Sequence, residues 1–381
     1  MQAFSVFSSQ KIIAFVLFIS LVIAGVYFLG GKTNKEVTNK AEVATVSTPN
    51  LTKRQIAESI LQWMNNTRTD NGGYAEAEEC GSDGICDPLI QDNRIGALGL
   101  WAHYQNYIKH RRFETLPLIS SDLKVYSDSK LVNTIQPAFW NCKLLYEMWK
   151  SSLFTAKDKN AMQGMCARAV YLLLDVPPKP NISTLHLPII RSAIEGKISP
   201  SAFNGVLDKK YFSEYAAISS EHVYMYLWNK DLGSKGEEDL AQAQTYFTVA
   251  LELYMKNPAD YTEDLPILGI TALDISTVVP APEYLSFAKF IAERVEKKPC
   301  ASAHECVLRM YLASDLYRST NSNIYLQSRE RLLHQMYSEM FDFQGLKGYS
   351  LGRGALNKKG TKNIYGMVTN ALFSGLLSRE E

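Results

Sequence analysis

The sequence has almost no charge to spare. Its 40 lysines and arginines stand against 39 aspartates and glutamates, a net charge of +1. A nucleic-acid-binding chain normally carries a basic excess or a basic face. The only basic block here, Lys109 to Arg112, falls at a helix end, where cations suit the negative pole of the helix dipole. No nucleic-acid partner is expected. The six histidines are scattered, and no His-Glu-x-x-His pair places two of them on one helical face. The acidic loop with Glu78, Glu79, Asp83 and Asp87 lacks the ligand order of an EF-hand. A Gly-x-Ser-x-Gly elbow and a phosphate-cradling glycine loop are missing as well. No cofactor and no metal are therefore expected. Runs of alternating apolar and polar residues are also lacking, which excludes a β architecture.

What the chain does have is one long apolar run. Ile12 to Leu29 covers 18 positions without a charge, about 27 Å of helix and close to the thickness of a bilayer's hydrocarbon core. A secretory signal peptide has a shorter apolar region ending at a small-x-small cleavage site. The run closes instead with Tyr27, Phe28, Leu29, Gly30 and Gly31. Residues 12–31 therefore read as a single-pass transmembrane signal anchor whose partner is the lipid bilayer, after a short tail at 1–11. Residues 32–50, rich in Lys, Thr, Asn and Val without a sustained period, read as a flexible tether. Lys32, Lys35 and Lys40 favour a cytoplasmic side for the chain beyond the anchor, and the cysteines argue the opposite.

Six cysteines fall into three sensible pairs. Cys80 and Cys86 bracket a turn built on Asp83-Gly84, and Cys300 and Cys306 flank a helix start. Cys142 and Cys166 lie in consecutive expected helices, equidistant from the break between them. The gaps do not suit zinc. Three disulfides imply an oxidising compartment, so the domain is expected on the extracytoplasmic side.

From Leu51 to Glu381 the pattern is helix after helix. Thr52 with Gln55, Ser234 with Glu237 and Ser302 with Glu305 have the spacing of capping boxes, and Thr155 with Asp158 caps another helix. The segments group into six expected antiparallel pairs: 53–66 with 93–110, 137–152 with 156–174, 188–196 with 211–229, 235–256 with 266–278, 282–297 with 302–319, and 323–341 with 363–378. The expected fold of 51–381 is all-α, an α/α toroid of six helical hairpins. An open solenoid would show a fixed repeat length, which is absent.

Two segments echo each other. Asp70 to Tyr74, DNGGY, follows the first helix of the first pair, and Asp342 to Tyr349, DFQGLKGY, follows the first helix of the last pair. Aspartate, glycines and tyrosine between an outer and an inner helix resemble the connecting loops of the six-hairpin (α/α)6 toroid, glycosidase-like enzymes. That resemblance implies a central cavity at the ends of the inner helices and a glycan as ligand. It transfers no catalytic residue. Inverting glycoside hydrolysis needs two carboxyl groups about 6.5–9.5 Å apart, and the acidic residues at suitable places are Asp70, Asp92, Glu221 and Asp342. Each also has a plain structural role open to it, as helix cap or turn former. Tyr74, Trp101, Trp228 and Tyr349 are the candidate sugar-stacking platforms, although most aromatics at helical spacing are core. Two readings stand side by side: a membrane-anchored glycan-cleaving enzyme, hydrolase or lyase, and a non-catalytic surface or envelope module for binding or scaffolding. In either, alkylation of the intact protein without prior reduction is expected to label none of the six cysteines, with all six labelled after reduction.

Overall fold

A computed structural model describes residues 52–66, 74, 77–81, 86–90, 96–111, 115–127, 141–173, 186–197, 211–261, 263–339 and 362–380. The expected tail, anchor and tether at 1–50 lie outside them. Among the described residues no helix is long and apolar enough to cross a membrane.

The described chain is built from thirteen helices: α1 (Lys53–Asn66), α2 (Gly96–His110), α3 (Thr115–Ser127), α4 (Asn141–Trp149), α5 (Ala156–Leu173), α6 (His186–Glu195), α7 (Phe212–Asp231), α8 (Glu237–Lys256), α9 (Leu265–Ser276), α10 (Pro282–Glu296), α11 (Ala303–Thr320), α12 (Asn323–Glu339) and α13 (Met367–Glu380). Six of them form a closed inner ring. Helix α2 packs on α4, α4 on α7, α7 on α9, α9 on α11 and α11 on α13, and α13 packs back on α2. The inner helices are buried nearly all round: in α9 every residue from Leu265 to Ile275 is enclosed. Helices α1, α3, α5, α8, α10 and α12 lie against them as an outer layer. Outer and inner helices alternate along the chain, so the inner six run parallel.

The toroid is thus as expected, but its pairing differs in the first half. The helix at 115–127 was not among the expected segments; its Pro117 sits in the first turn, where proline costs no hydrogen bond. Its presence makes α4 an inner helix and α5 an outer one, reversing their expected order. Helix α6 belongs to neither layer: it lies outside, against α8 and α10. It stops at Gly196, whose φ of +67° is open to glycine, and the amide of Lys197 closes back on the Ser192 carbonyl.

Local signals explain most boundaries. Thr52 and Gln55 cap α1 reciprocally, at 2.8 and 3.2 Å. Thr155 and Asp158 do the same for α5, and Ser302 accepts the Glu305 amide at the start of α11. The expected box at Ser234 is not formed: Gly236 is the cap of α8, without a side-chain hydrogen bond. Ser219 and Ser220 do not break α7. Their hydroxyls reach the Ala243 carbonyl and the Asp274 carboxylate, so the helix runs on unbroken.

The all-α body carries one small sheet that the sequence pattern did not reveal. Strands β1 (Ala77–Gly81), β2 (Cys86–Ile90) and β3 (Lys362–Gly366) pair antiparallel in the order β2-β1-β3. Cys80 stands opposite Cys86 across the first pairing, as a disulfide there requires, and opposite Asn363 across the second. β1 lies in the connection from α1 to α2, and β3 in that from α12 to α13. Two distant stretches of chain are therefore stitched together where the ring closes. The disulfides Cys142–Cys166, joining α4 to α5, and Cys300–Cys306, at the start of α11, are both formed.

Ring closure also relies on a close approach. A Cβ at Gly375 of α13 would lie 2.1 Å from Trp101 Cζ3 of α2, too near for any atom. Gly375→Ala is expected to cost about 1–3 kcal/mol through overpacking, read as a lowered denaturation midpoint with an unchanged m-value.

Candidate functional site

The centre of the ring is polar. Every one of the six inner helices contributes to one connected network. Lys143 of α4 reaches Asp274 of α9 at 2.8 Å and Asp315 of α11 at 3.0 Å. The other oxygen of Asp274 accepts from Ser220 of α7 at 2.6 Å, and the oxygen that faces Lys143 also accepts from Tyr224 of the same helix at 3.0 Å. Asp315 faces Arg379 of α13 at 3.4 Å, and Arg379 lies 3.8 Å from Glu147 of α4. Glu147 accepts from Trp101 at 3.0 Å and Gln105 at 2.8 Å, both on α2. The Lys143 ammonium also stands 4.8 Å over the Tyr311 ring.

Burial alone would pull the Lys143 ammonium down, but Asp274 and Asp315 hold it well above the usual lysine value. The same opposition holds for Arg379, raised by Glu147 and Asp315 against the pull of burial. Both cations stay charged and are paired with the carboxylates facing them. Held against one another in this way, the groups form a floor for the ring. Gln105, Glu147, Tyr224, Asp274, Asp315 and Arg379 fall in the C-terminal halves of their helices, and Trp101, Lys143 and Ser220 in the N-terminal halves. Connections run from outer to inner helices at the N-terminal end.

Two carboxyl groups outside this network carry spare capacity. Glu221 is fully buried in α7, and its Oε2 accepts the Cys142 amide at the start of α4 at 2.5 Å, with the Asn141 amide beside it. Its Oε1 has no hydrogen-bond partner in the protein. Burial raises its pKa to about 8, against the lowering effect of those two amides, so it is protonated at neutral pH. Asp264, half-buried just before α9, is pushed up by burial and by the charge of Glu305, while a hydrogen bond from Ser213 opposes. Nearby, burial lowers the His304 pKa to about 4, and its Nδ1 lies 3.2 Å from Thr369 Oγ1. His304 is therefore a neutral, donor-or-acceptor group between the first turns of α11 and α13.

The expected site residues fare unevenly. Asp70, Asp92, Asp342 and Tyr349 lie outside the described residues. The sequence assigns the first two to the α1–α2 connection and the others to the α12–α13 connection, which the β1–β3 pairing joins. Glu221 is not at a helix start, as expected, but in the middle of α7, where it caps another helix. The three described aromatics are corrected outright. Tyr74, Trp101 and Trp228 are each 0% exposed and offer no face to a ligand. Tyr74 packs on Gly99 and donates to Asp122 at 2.9 Å; Trp101 serves the floor; Trp228 is wedged against Tyr146 and Trp149.

The floor residues and Asp264 escaped the sequence reading. Asp274 did leave a signal, as the only charge in the apolar helix LPILGITALDIS, while Lys143 shares its helix NCKLLYEMW with Glu147. A lone charge on an otherwise apolar helix must find a partner inside.

No family model matches the chain, and no curated protein is similar to it in sequence. Solved structures are similar in fold. The GH76A alpha-1,6-mannanase of Salegentibacter sp. HEL1_6 is 11% identical over 86% of this chain and 98% of its own, with a TM-score of 0.55. An unsaturated glucuronyl hydrolase specific for heparin gives 10%, 86% and 95% with a TM-score of 0.56. Cellobiose 2-epimerase from Bacillus thermoamylovorans B4167 gives 12%, 86% and 98% with a TM-score of 0.53. This chain has the six-hairpin glycosidase-like toroid fold. Identities this low establish the fold alone, and the site must be argued from the toroid's own residues.

Two measurements test the roles of these groups. Lys143→Met leaves Asp274 without its cation and is expected to cost about 3–5 kcal/mol, whereas Lys143→Met with Asp274→Leu recovers part of the loss in a chemical denaturation series. For Glu221 the folded pKa is raised, so its contribution is fully present below its unfolded value of 4.5 and is lost as pH rises toward about 8. Glu221→Gln mimics the protonated form at every pH. The variant should overtake wild type as pH climbs through that window, at a slope of up to about 1.4 kcal/mol per unit.

Proposed function

We propose that this protein is a membrane-tethered, extracytoplasmic enzyme that cleaves or rearranges a glycan at the N-terminal end of its inner helices. The observation that carries this reading is the asymmetry of the ring. A paired charge network fills the C-terminal halves of most inner helices, while Glu221, protonated and with one oxygen unpartnered, and Asp264, raised by burial just before α9, stand outside it. A general acid must be protonated at working pH and a general base ionised, which requires two carboxyl groups in different environments. Glu221 supplies a neutral carboxyl, and Asp264 or one of Asp70, Asp92 and Asp342 supplies the second.

The fold neighbours support a sugar ligand. Their names specify a mannanase, a glucuronyl hydrolase and a cellobiose epimerase, and one is an inactive mannanase variant, two aspartates replaced, in complex with alpha-1,6-mannotriose. The two formed disulfides support an oxidising compartment, and the apolar run at 12–31 supports the anchor.

The second reading, a non-catalytic surface or envelope module on the same scaffold, is favoured by one specific observation: Glu221 is already engaged as the cap of α4. Both readings face the same assay. Full-length protein in lipid nanodiscs is incubated with α-1,6-mannan, cellulose oligosaccharides and heparin-derived disaccharides, and products are separated chromatographically. Turnover is expected with at least one of them, falling by about 10²–10⁴-fold in Glu221→Gln or Asp264→Asn at unchanged thermal midpoint. Turnover unaffected by either variant moves the chemistry to other carboxylates, and no turnover with saturable glycan binding establishes the module.

A further inference from the structure

The outer wall carries a second feature with ligand chemistry. Between α1, α2 and α3 lies an open groove of about 420 Å³, within the usual range for small-molecule sites. Its polar lining is mostly amide and hydroxyl, from Gln55, Ser59, Gln62, Asn65, Asn106 and Thr115, with the His103 imidazole beside them. No lysine or arginine lines it, and its one carboxylate, Glu58, is held by Arg54 at 2.7 Å. Gln55 is spent on the α1 cap, and Ser59 donates to the Ile56 carbonyl. Gln62, Asn65, Asn106 and Thr115 remain for a ligand.

Asn106 is the decisive residue. It is only 2% exposed, yet its Nδ2 has no hydrogen-bond partner. Asn65 Oδ1, across the groove on α1, is likewise enclosed and unpartnered. A buried amide left unmade costs about 1–3 kcal/mol, so an unpartnered donor and an unpartnered acceptor lining one groove ask for a molecule that both accepts and donates. Vicinal hydroxyls do this, since each O–H can give one hydrogen bond and take two. The absence of fixed charge disfavours an ionic ligand, and Leu61 and Leu118 offer apolar surface to the C–H face of a ring.

We propose that this groove binds a neutral sugar unit, as a holding site on the ring wall separate from the ring's interior. The assignment shares a ligand class with the enzyme reading but does not rest on it. The test uses full-length protein in lipid nanodiscs, free of glycosidic detergent, with α-1,6-mannotriose and cellotriose as neutral probes and glucuronic acid as the charged one. Calorimetry measures affinity, and hydrogen exchange locates it. Saturable binding of a neutral trisaccharide is expected, with slowed exchange in peptides from α1 and α2 flanking the groove. Asn106→Leu should weaken it by roughly tenfold while holding or raising the thermal midpoint. Gln62→Ala, at an exposed position, should weaken it too and decides the matter should the first variant not fold.

Binding unaltered in both variants, preference for glucuronic acid, or no neutral probe bound below about 10 mM overturns the proposal and leaves the groove filled by water. Protection confined to the N-terminal turns of the inner helices, with turnover, refutes the groove and spares the enzyme. Protection at the groove without turnover of any glycan does the reverse.

Discussion

Lys143 is the group on which the centre of this fold depends. It sits 6% exposed among the inner helices and is the one cation shared by Asp274 and Asp315, carried on two other helices. Taking an ammonium and two carboxylates out of water costs several kcal/mol for each ion, so the arrangement is tolerable only when its remaining lone pairs are filled. Ser220, Tyr224 and Arg379 fill them. A network in which six helices each supply a member can be satisfied in one mutual arrangement, whereas an all-apolar interior would accept several. Specificity of register is the benefit we assign to it here, in place of net stability.

The floor has a consequence for where the ring can work. A toroid of parallel inner helices has two ends, and most members of the charge network lie in the half toward the C-terminal one. At the other end the macrodipoles of the inner helices present their positive poles, and the first-turn amides need acceptors. Glu221 shows how this demand is met: a carboxyl from α7 takes up amides at the start of α4 and stays protonated at neutral pH because nothing cationic reaches it closely enough to offset burial. A residue serving as a helix cap can also be an acid, since the cap uses one oxygen and leaves the other open.

The architecture was legible in the sequence because capping boxes and apolar periodicity are local. Thr52 with Gln55 and Thr155 with Asp158 form as their spacing implies, and two cysteine pairs close as their positions suggest. The misreadings have physical causes. Helix α3 was missed although Pro117 stands in its first turn, a position where proline is compatible with a helix start. β1 and β3 are five residues each and find partners far along the chain, so no local pattern announces them. Tyr74, Trp101 and Trp228 were open to two readings, platform or core, and the decision lay with what packs against them: Gly99, Gly375 and the Tyr146–Trp149 pair.

The site was the least legible part for a different reason. Catalytic carboxyls and structural carboxyls are the same residue types at the same kinds of place, and only partners separate them. Asp274 and Glu221 are both buried acids on inner helices, yet one has every oxygen engaged and the other does not. The distinction lives in contacts between residues 79 to 131 positions apart, as between Cys142 and Glu221 or Lys143 and Asp274. The same criterion picked out the wall groove, where unpartnered amides on α1 and α2 rather than any motif mark the surface. A buried hydrogen-bonding group left unfilled is the common signal, because folding alone gives no reason to keep it.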